Sequence, residues 1–255
     1  MPELNLEKLW VFGAIEPSVL VHSILIFIAI FLPKKLLTPI GYFHAWILGV
    51  IILGTLHWQG YVIVVFYLFV GSAVTRIGMA KKEAAGIAEK RSGMRGPENV
   101  WGSALIGTLC ALGTLFVPSP WQQFLILGYM ASFSTKLSDT TASEVGKAYG
   151  KRTFLITTLK PVPPGTEGAI SLEGTLAGIV ASAVIALLGW GIGVIDLIDV
   201  LWCIVAAFIA TNLESLIGAT LQEKFDWMTN EVVNIINTFI GALVAIVITW
   251  FWHYY

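Results

Sequence analysis

Between residues 132 and 146 the chain places Ser132, Lys136, Asp139, Ser143 and Gly146 at spacings of 4, 3, 4 and 3. On a helix these positions share one face, so a cation, an acid and two hydroxyls would stand in one column. Such a column suits phosphate handling, where a cation neutralises oxygens and an acid holds a metal. It equally suits a helix end solvated at a membrane surface, where a charge is cheap. Asn230, Asn234, Asn237 and Gly241 recur at 4, 3 and 4 near the other end of the chain. Asn230 fits a helix cap. Asn234 and Asn237 would aim their amides at neighbouring helices or at a wet cavity, as interhelical glue or as substrate contacts.

Gly165-Thr166-Glu167-Gly168 and Glu173-Gly174-Thr175 enclose Ala169, Ile170, Ser171 and Leu172. Glycine allows close backbone approach, and a carboxylate beside each pair points to metal or phosphate handling. Gly174 and Gly178 also form a small-residue pair able to pack one membrane helix on another. The run Gly146-Lys147-Ala148-Tyr149-Gly150-Lys151-Arg152-Thr153 approaches a P-loop but fails it. Its glycines are one residue too close, and Arg152 separates Lys151 from Thr153. What it offers is a basic, glycine-bearing turn in which Lys147 and Lys151 can meet phosphate. Residues 90–96 are basic and flexible as well, and serve either phosphate or the anionic inner leaflet, worth about 1 kcal/mol per basic residue.

Absences narrow the chemistry. The four histidines are scattered, with no HExxH motif, and Cys110 and Cys203 lie apart in apolar runs. Zinc sites and a disulfide framework therefore have no support. No ionisable residue falls at the middle of a span, which disfavours ion-coupled transport. Nucleic acid is not an expected partner.

These groups need elements to hold them, and composition says which. Apolar residues make up 56% and charged residues 12%, against about 45–50% and about 25% in soluble domains. Mean hydropathy is +0.81. A helix needs about 20 apolar residues to cross a bilayer core of about 30 Å. Eight segments qualify: 17–33, 41–57, 60–76, 99–117, 121–138, 174–191, 194–213 and 231–252. Seven result if one of the early segments, 41–57 or 60–76, is merged or dropped, which would put Lys34 and Lys35 outside. Residues 3–16, with Glu3, Leu6, Leu9, Trp10 and Phe12, read as an interfacial segment, and no basic region there announces a cleaved signal. The expected fold is an all-α, polytopic transmembrane helical bundle of about eight spans. With eight, fourteen of the fifteen Lys and Arg residues, Lys34 among them, fall on one side and only Lys8 on the other. That asymmetry puts both termini outside and the polar segments 76–98, 139–173 and 212–230 in the cytoplasm, within one domain spanning 1–255.

Four stretches resemble a known family. Residues 81–96 read Lys-Lys-x-x-x-Gly-Ile-Ala-Glu-Lys-Arg-x-Gly-x-Arg-Gly, 139–146 Asp-Thr-x-Ala-Ser-Glu-x-Gly, 150–159 Gly-Lys-Arg-Thr-Phe-Leu-Ile-Thr-Thr-Leu, and 165–178 Gly-Thr-Glu-Gly-x-x-Ser-x-Glu-Gly-Thr-x-Ala-Gly. They are similar to the integral-membrane phytyl-phosphate kinases of vitamin E biosynthesis and phytol salvage, relatives of the phytol and dolichol kinases. The resemblance implies phosphorylation of an isoprenoid monophosphate to its diphosphate with CTP or another nucleoside triphosphate. It implies roles for Lys81, Arg91, Arg95, Asn99, Asp139, Ser143, Glu144, Glu167 and Glu173, and for Asn212, Glu214 and Asn237. In the mechanism this suggests, Asp139, Glu144, Glu167 and Glu173 hold magnesium (Mg²⁺) on the nucleotide. Lys81, Arg91, Arg95 and Lys151 neutralise phosphate oxygens, and the tail lies near the Asn237 face. Gly165, Thr166, Gly168, Ser171, Lys147 and Asn234 complete the expected site. The competing expectations are a nucleotidyltransferase making a CDP-lipid, and a lipid or phosphate transporter. Neither nucleotide base, prenyl length nor oligomeric state is legible.

Overall fold

Inside a hydrocarbon layer no water bonds to backbone amides, so a chain there must satisfy them itself, and helices do so within one segment. The computed structural model describes residues 6–31, 35–222 and 224–254, most of them helical. In chain order the helices are α1 (Leu6–Ile30), α2 (Pro39–Thr75), α3 (Met79–Ala84), α4 (Pro97–Gly113), α5 (Trp121–Tyr149), α6 (Leu172–Gly191), α7 (Leu197–Ile217) and α8 (Asn230–Tyr254). The fold is an all-α membrane helical bundle. Among the described residues a two-stranded antiparallel pair, β1 (Phe154–Leu155) with β2 (Ala169–Ile170), ties down the 150–171 connection. Glu3 and Lys34 lie outside the described residues. From Leu6 onward the expected interfacial segment is continuous with the first span, because α1 runs through Pro17 unbroken.

The two early spans are one hydrogen-bonded element folded back on itself. Thr38 caps α2 by accepting from the Gly41 N–H, and Pro39 supplies a first residue that needs no donor. A straight helix of 37 residues would be about 55 Å long. Yet Arg76 just after its end donates to the Lys35 carbonyl just before its start, at 3.2 Å. The reversal falls at His57, whose φ of 54° and ψ of -161° leave the helical region. The arms on either side of His57 therefore run back alongside each other, and among the described residues four helices, α2, α6, α7 and α8, are long and apolar enough to cross a membrane. Residues 35–38, the 76–96 connection and the 165–171 stretch meet the end of α7 at one end of the bundle.

Helix α5 is the shaft. Its residues are buried without interruption from Leu127 to Asp139, so neighbours cover every side, where a one-faced helix would alternate. Helices α2, α4, α6, α7 and α8 all pack on it. Helix α6 comes closest: a Cβ added at Gly174 would sit 2.5 Å from the Ala142 carbonyl oxygen, and one at Gly178 2.9 Å from Ser138 Oγ. The small-residue pair is thus a packing device. In lipid, polar side chains gain by turning inward, which is why the most buried helix also carries the polar stripe. The helix continues to Tyr149, so residues 139–149, expected at the start of a loop, are still α5.

Candidate functional site

A cavity of about 750 Å³ opens at the end where those connections gather. The three polar segments form it together. Gly165 lies against Ile87: a Cβ there would be 2.7 Å from Ile87 Cγ2. Gly168, at φ +74°, lies against the turn after α7, where a Cβ would be 2.4 Å from Ala219 Cβ and 2.6 Å from the Ser215 carbonyl oxygen. Only glycine accepts both that dihedral and that approach.

The floor comes from α5 and its neighbours. Lys136 Nζ donates to Asp139 Oδ2 and to Asn234 Oδ1, each at 2.6 Å. Glu214 of α7 lies within electrostatic reach of Lys136, Asp139 and Glu167. On the facing wall, Arg95 Nη1 donates to the Tyr67 hydroxyl at 2.6 Å, and that hydroxyl donates to Ser103 Oγ at 3.0 Å. Behind α5, Lys82 is wholly buried, pairs with Glu144, and donates to the Thr75 carbonyl at 2.8 Å. Lys147 stands 3.6 Å from both Glu144 and Glu89. At the rim Arg91, at φ 56°, pairs with Glu98 and donates to Asn99 Oδ1 at 3.2 Å. The hydrogen bond from Arg91 is the chief reason that the Glu98 carboxyl is held below its usual range.

Of the residues singled out in the sequence, Arg91, Arg95, Asn99, Asp139, Ser143, Glu144, Lys147, Gly165, Thr166, Glu167, Gly168, Ser171, Asn212, Glu214 and Asn234 all line this cavity. Four stand elsewhere. Lys81 Nζ donates to the Ala148 carbonyl at 2.6 Å, away from the cavity; on α3 its neighbour Lys82 is the one turned inward. Lys151 is exposed beyond the end of α5. Glu173 points off the wall that Gly174 and Thr175 line. Asn237 is fully buried, its amide atoms without a hydrogen-bond partner, where α8 crosses α5. Its face is closed, so it offers no berth for a tail.

The four-carboxylate magnesium set is not assembled. Among the described residues no three His, Cys, Asp or Glu side chains converge as one metal site. Asp139 is taken by Lys136 and Glu144 by Lys82 and Lys147. The sequence reading also missed residues that line the cavity: Tyr67, Ser103, Glu98 and Glu231. For Lys136 the signal was present in the stripe; for Tyr67 nothing in its apolar surroundings marks it.

With this geometry in hand, comparison with known proteins places the chain. Residues 22–242 match the DUF92 family of integral membrane proteins. The chain belongs to that family. The matched residues include every cavity-forming segment. Among similar family relatives, the uncharacterized membrane protein sll0875 of Synechocystis sp. is 68% identical over 229 residues, 90% of this chain and 89% of that one. Protein VTE6, chloroplastic, of Arabidopsis thaliana is 44% identical over 243 residues, 92% of this chain and 72% of its own length. The uncharacterized membrane protein MJ0933 of Methanocaldococcus jannaschii is 33% identical over 203 residues, 79% and 81% of the two chains. No solved structure matches the chain.

Proposed function

We propose that this family member is a prenyl-phosphate kinase that converts an isoprenoid monophosphate such as phytyl phosphate to its diphosphate, with CTP the first donor to try. The observation that carries this reading is the convergence of all three polar segments, and of most kinase-like motif residues, on one cavity at the polar end of a membrane bundle.

A phosphate monoester carries about -1.5 to -2 charge at pH 7 and is already a nucleophile. No general base is needed. The difficulty is holding it against an equally anionic triphosphate, so catalysis is positioning and charge neutralisation. An acceptor oxygen attacks the γ-phosphorus, the bond to the β–γ bridging oxygen breaks, and the nucleoside diphosphate leaves. Arg95 and Lys136 meet phosphate oxygens from opposite walls, while Arg91, Lys147 and the 165–168 turn receive the nucleotide. Glu214 feels the charges of both Asp139 and Glu167, so a Mg²⁺ that takes only one or two protein ligands and fills its shell with phosphate and water would draw them from these carboxylates. When bound, that ion supplies charge neutralisation on the donor phosphates. The tail leaves past Ile179 and Phe208, the apolar groups at the edge of the cavity on α6 and α7; Phe208 is also exposed on the outer surface of the bundle. The excess of Lys and Arg at this end supports a cytoplasmic or stromal orientation.

Purified protein, given phytyl phosphate, magnesium and a panel of nucleoside triphosphates, is expected to release nucleoside diphosphate only when both substrates are present. Asp139→Asn and Glu167→Gln, which keep side-chain shape, should each abolish release. Near-normal turnover in both removes the carboxylate assignment, and release of pyrophosphate instead makes the enzyme a nucleotidyltransferase.

A further inference from the structure

Most cations on the cavity wall already face a carboxylate: Arg91 has Glu98, Lys136 has Asp139, and Lys147 has Glu144. Arg95 has none among the described residues. Instead it is held by neutral groups. Its Cζ lies 4.8 Å from the centroid of the Tyr67 ring, its Nη1 donates to the Tyr67 hydroxyl, and Ser103 fixes that hydroxyl from the far side. One turn along α2, Gly71 leaves the space that Nη2 fills: a Cβ there would lie 2.6 Å from it. The backbone is pinned too. The Arg95 N–H donates to the Leu36 carbonyl at 3.0 Å, and its carbonyl accepts from the Thr38 N–H at 2.9 Å. A guanidinium has five N–H donors, and Tyr67 engages one of these groups, so donors remain for a ligand in the cavity that Arg95 lines.

We infer that Tyr67, Ser103 and Gly71 form a socket that aims Arg95 at a phosphate group, with Tyr67 and Gly71 as positioning residues for the principal oxyanion site of the cavity. Fixing a cation in place with no counter-charge is unfavourable by itself and becomes favourable when a planar fork meets phosphate oxygens. A rigid fork also binds with less entropy lost on capture. The naming of the ligand rests on the kinase reading. The shared chemistry is a phosphate, borne either by the lipid monophosphate or by the nucleotide.

The test is binding without turnover, on the purified full-length protein in detergent, titrated separately with phytyl phosphate and with CTP. Gly71→Ala is the key variant: the atom in its way is the end of a flexible side chain, so the fold tolerates it while the guanidinium shifts. It should weaken one or both ligands about tenfold, the effect of losing a charge-assisted hydrogen bond. Tyr67→Phe keeps the ring, drops the hydroxyl and should weaken the same ligand. Whichever titration moves identifies the source of the phosphate. In an Arg95→Ala background, Gly71→Ala should add nothing further. Unchanged affinities for both ligands in Gly71→Ala and Tyr67→Phe would overturn the socket, as would an equal loss from Gly71→Ala when Arg95 is already absent. Protein that binds phosphate through the socket but transfers none refutes the kinase reading alone.

Discussion

Lys136 and Asp139 stand one turn apart on α5, Nζ 2.6 Å from Oδ2, and each is less than a tenth exposed. The pair persists on the buried shaft because each charge answers the other. Removing one partner leaves an uncompensated charge, at a cost of about 3–5 kcal/mol. Asp139→Ala should therefore melt well below the parent protein in detergent, whereas Lys136→Met with Asp139→Leu recovers most of that loss and none of the turnover. Thermal melting read beside product release separates the two roles.

Lys81 and Lys82 are neighbours with opposite consequences. Lys82 is fully buried against Glu144, while the Lys81 ammonium makes one hydrogen bond to the Ala148 carbonyl. Truncating Lys82 to alanine should cost about 3–5 kcal/mol, and Lys81→Ala about 1 kcal/mol. Denaturation midpoints that ranked the two the other way would reverse the inward assignment of α3.

The rim pair makes a pH prediction. Arg91 holds the Glu98 carboxyl below its ordinary value. A carboxylate with a lowered folded pKa contributes its stabilisation fully above the unfolded value, about pH 4.3, and loses it as pH falls through the folded one. Acid melting curves of the parent and of Glu98→Gln should thus converge as pH drops below that range. Curves that stay parallel would show the pair to be inert.

Ile179 and Phe208 should set tail preference. Phe208→Ala widens the exit, and Ile179→Phe narrows it, so kcat/KM ratios between short and long isoprenyl monophosphates should move in opposite directions. The expected size is about tenfold, typical of small changes in an apolar pocket. Ratios indifferent to both changes would place the exit elsewhere.

The membrane bundle was legible because hydropathy reports directly on passage through lipid. The polar stripe on α5 was legible because helical spacing alone puts Lys136, Asp139, Ser143 and Gly146 on one face, and all four line the cavity. Periodicity could not rank depth along the stripe, so Ser132, whose hydroxyl turns back to the Tyr129 carbonyl, looked equivalent to Lys136. Nor could it choose between Lys81 and Lys82, since adjacent helical positions differ only by rotation against a neighbour unknown from sequence. Tyr67 was invisible for a related reason. Its role arises from Arg95 and Ser103, which are far away in sequence and meet it only when α4 packs against α2. Glu173 lies off the cavity wall, and Asn237, one turn deeper than Asn234 on the same face of α8, is closed in between helices.

The most direct measurement follows a labelled γ-phosphate from CTP into lipid. With phytyl phosphate, magnesium and purified protein, the label should appear as the terminal phosphate of phytyl diphosphate, and Arg95→Ala should prevent it. Intact protein that binds both compounds yet leaves the lipid unlabelled with every nucleoside triphosphate would contradict the account.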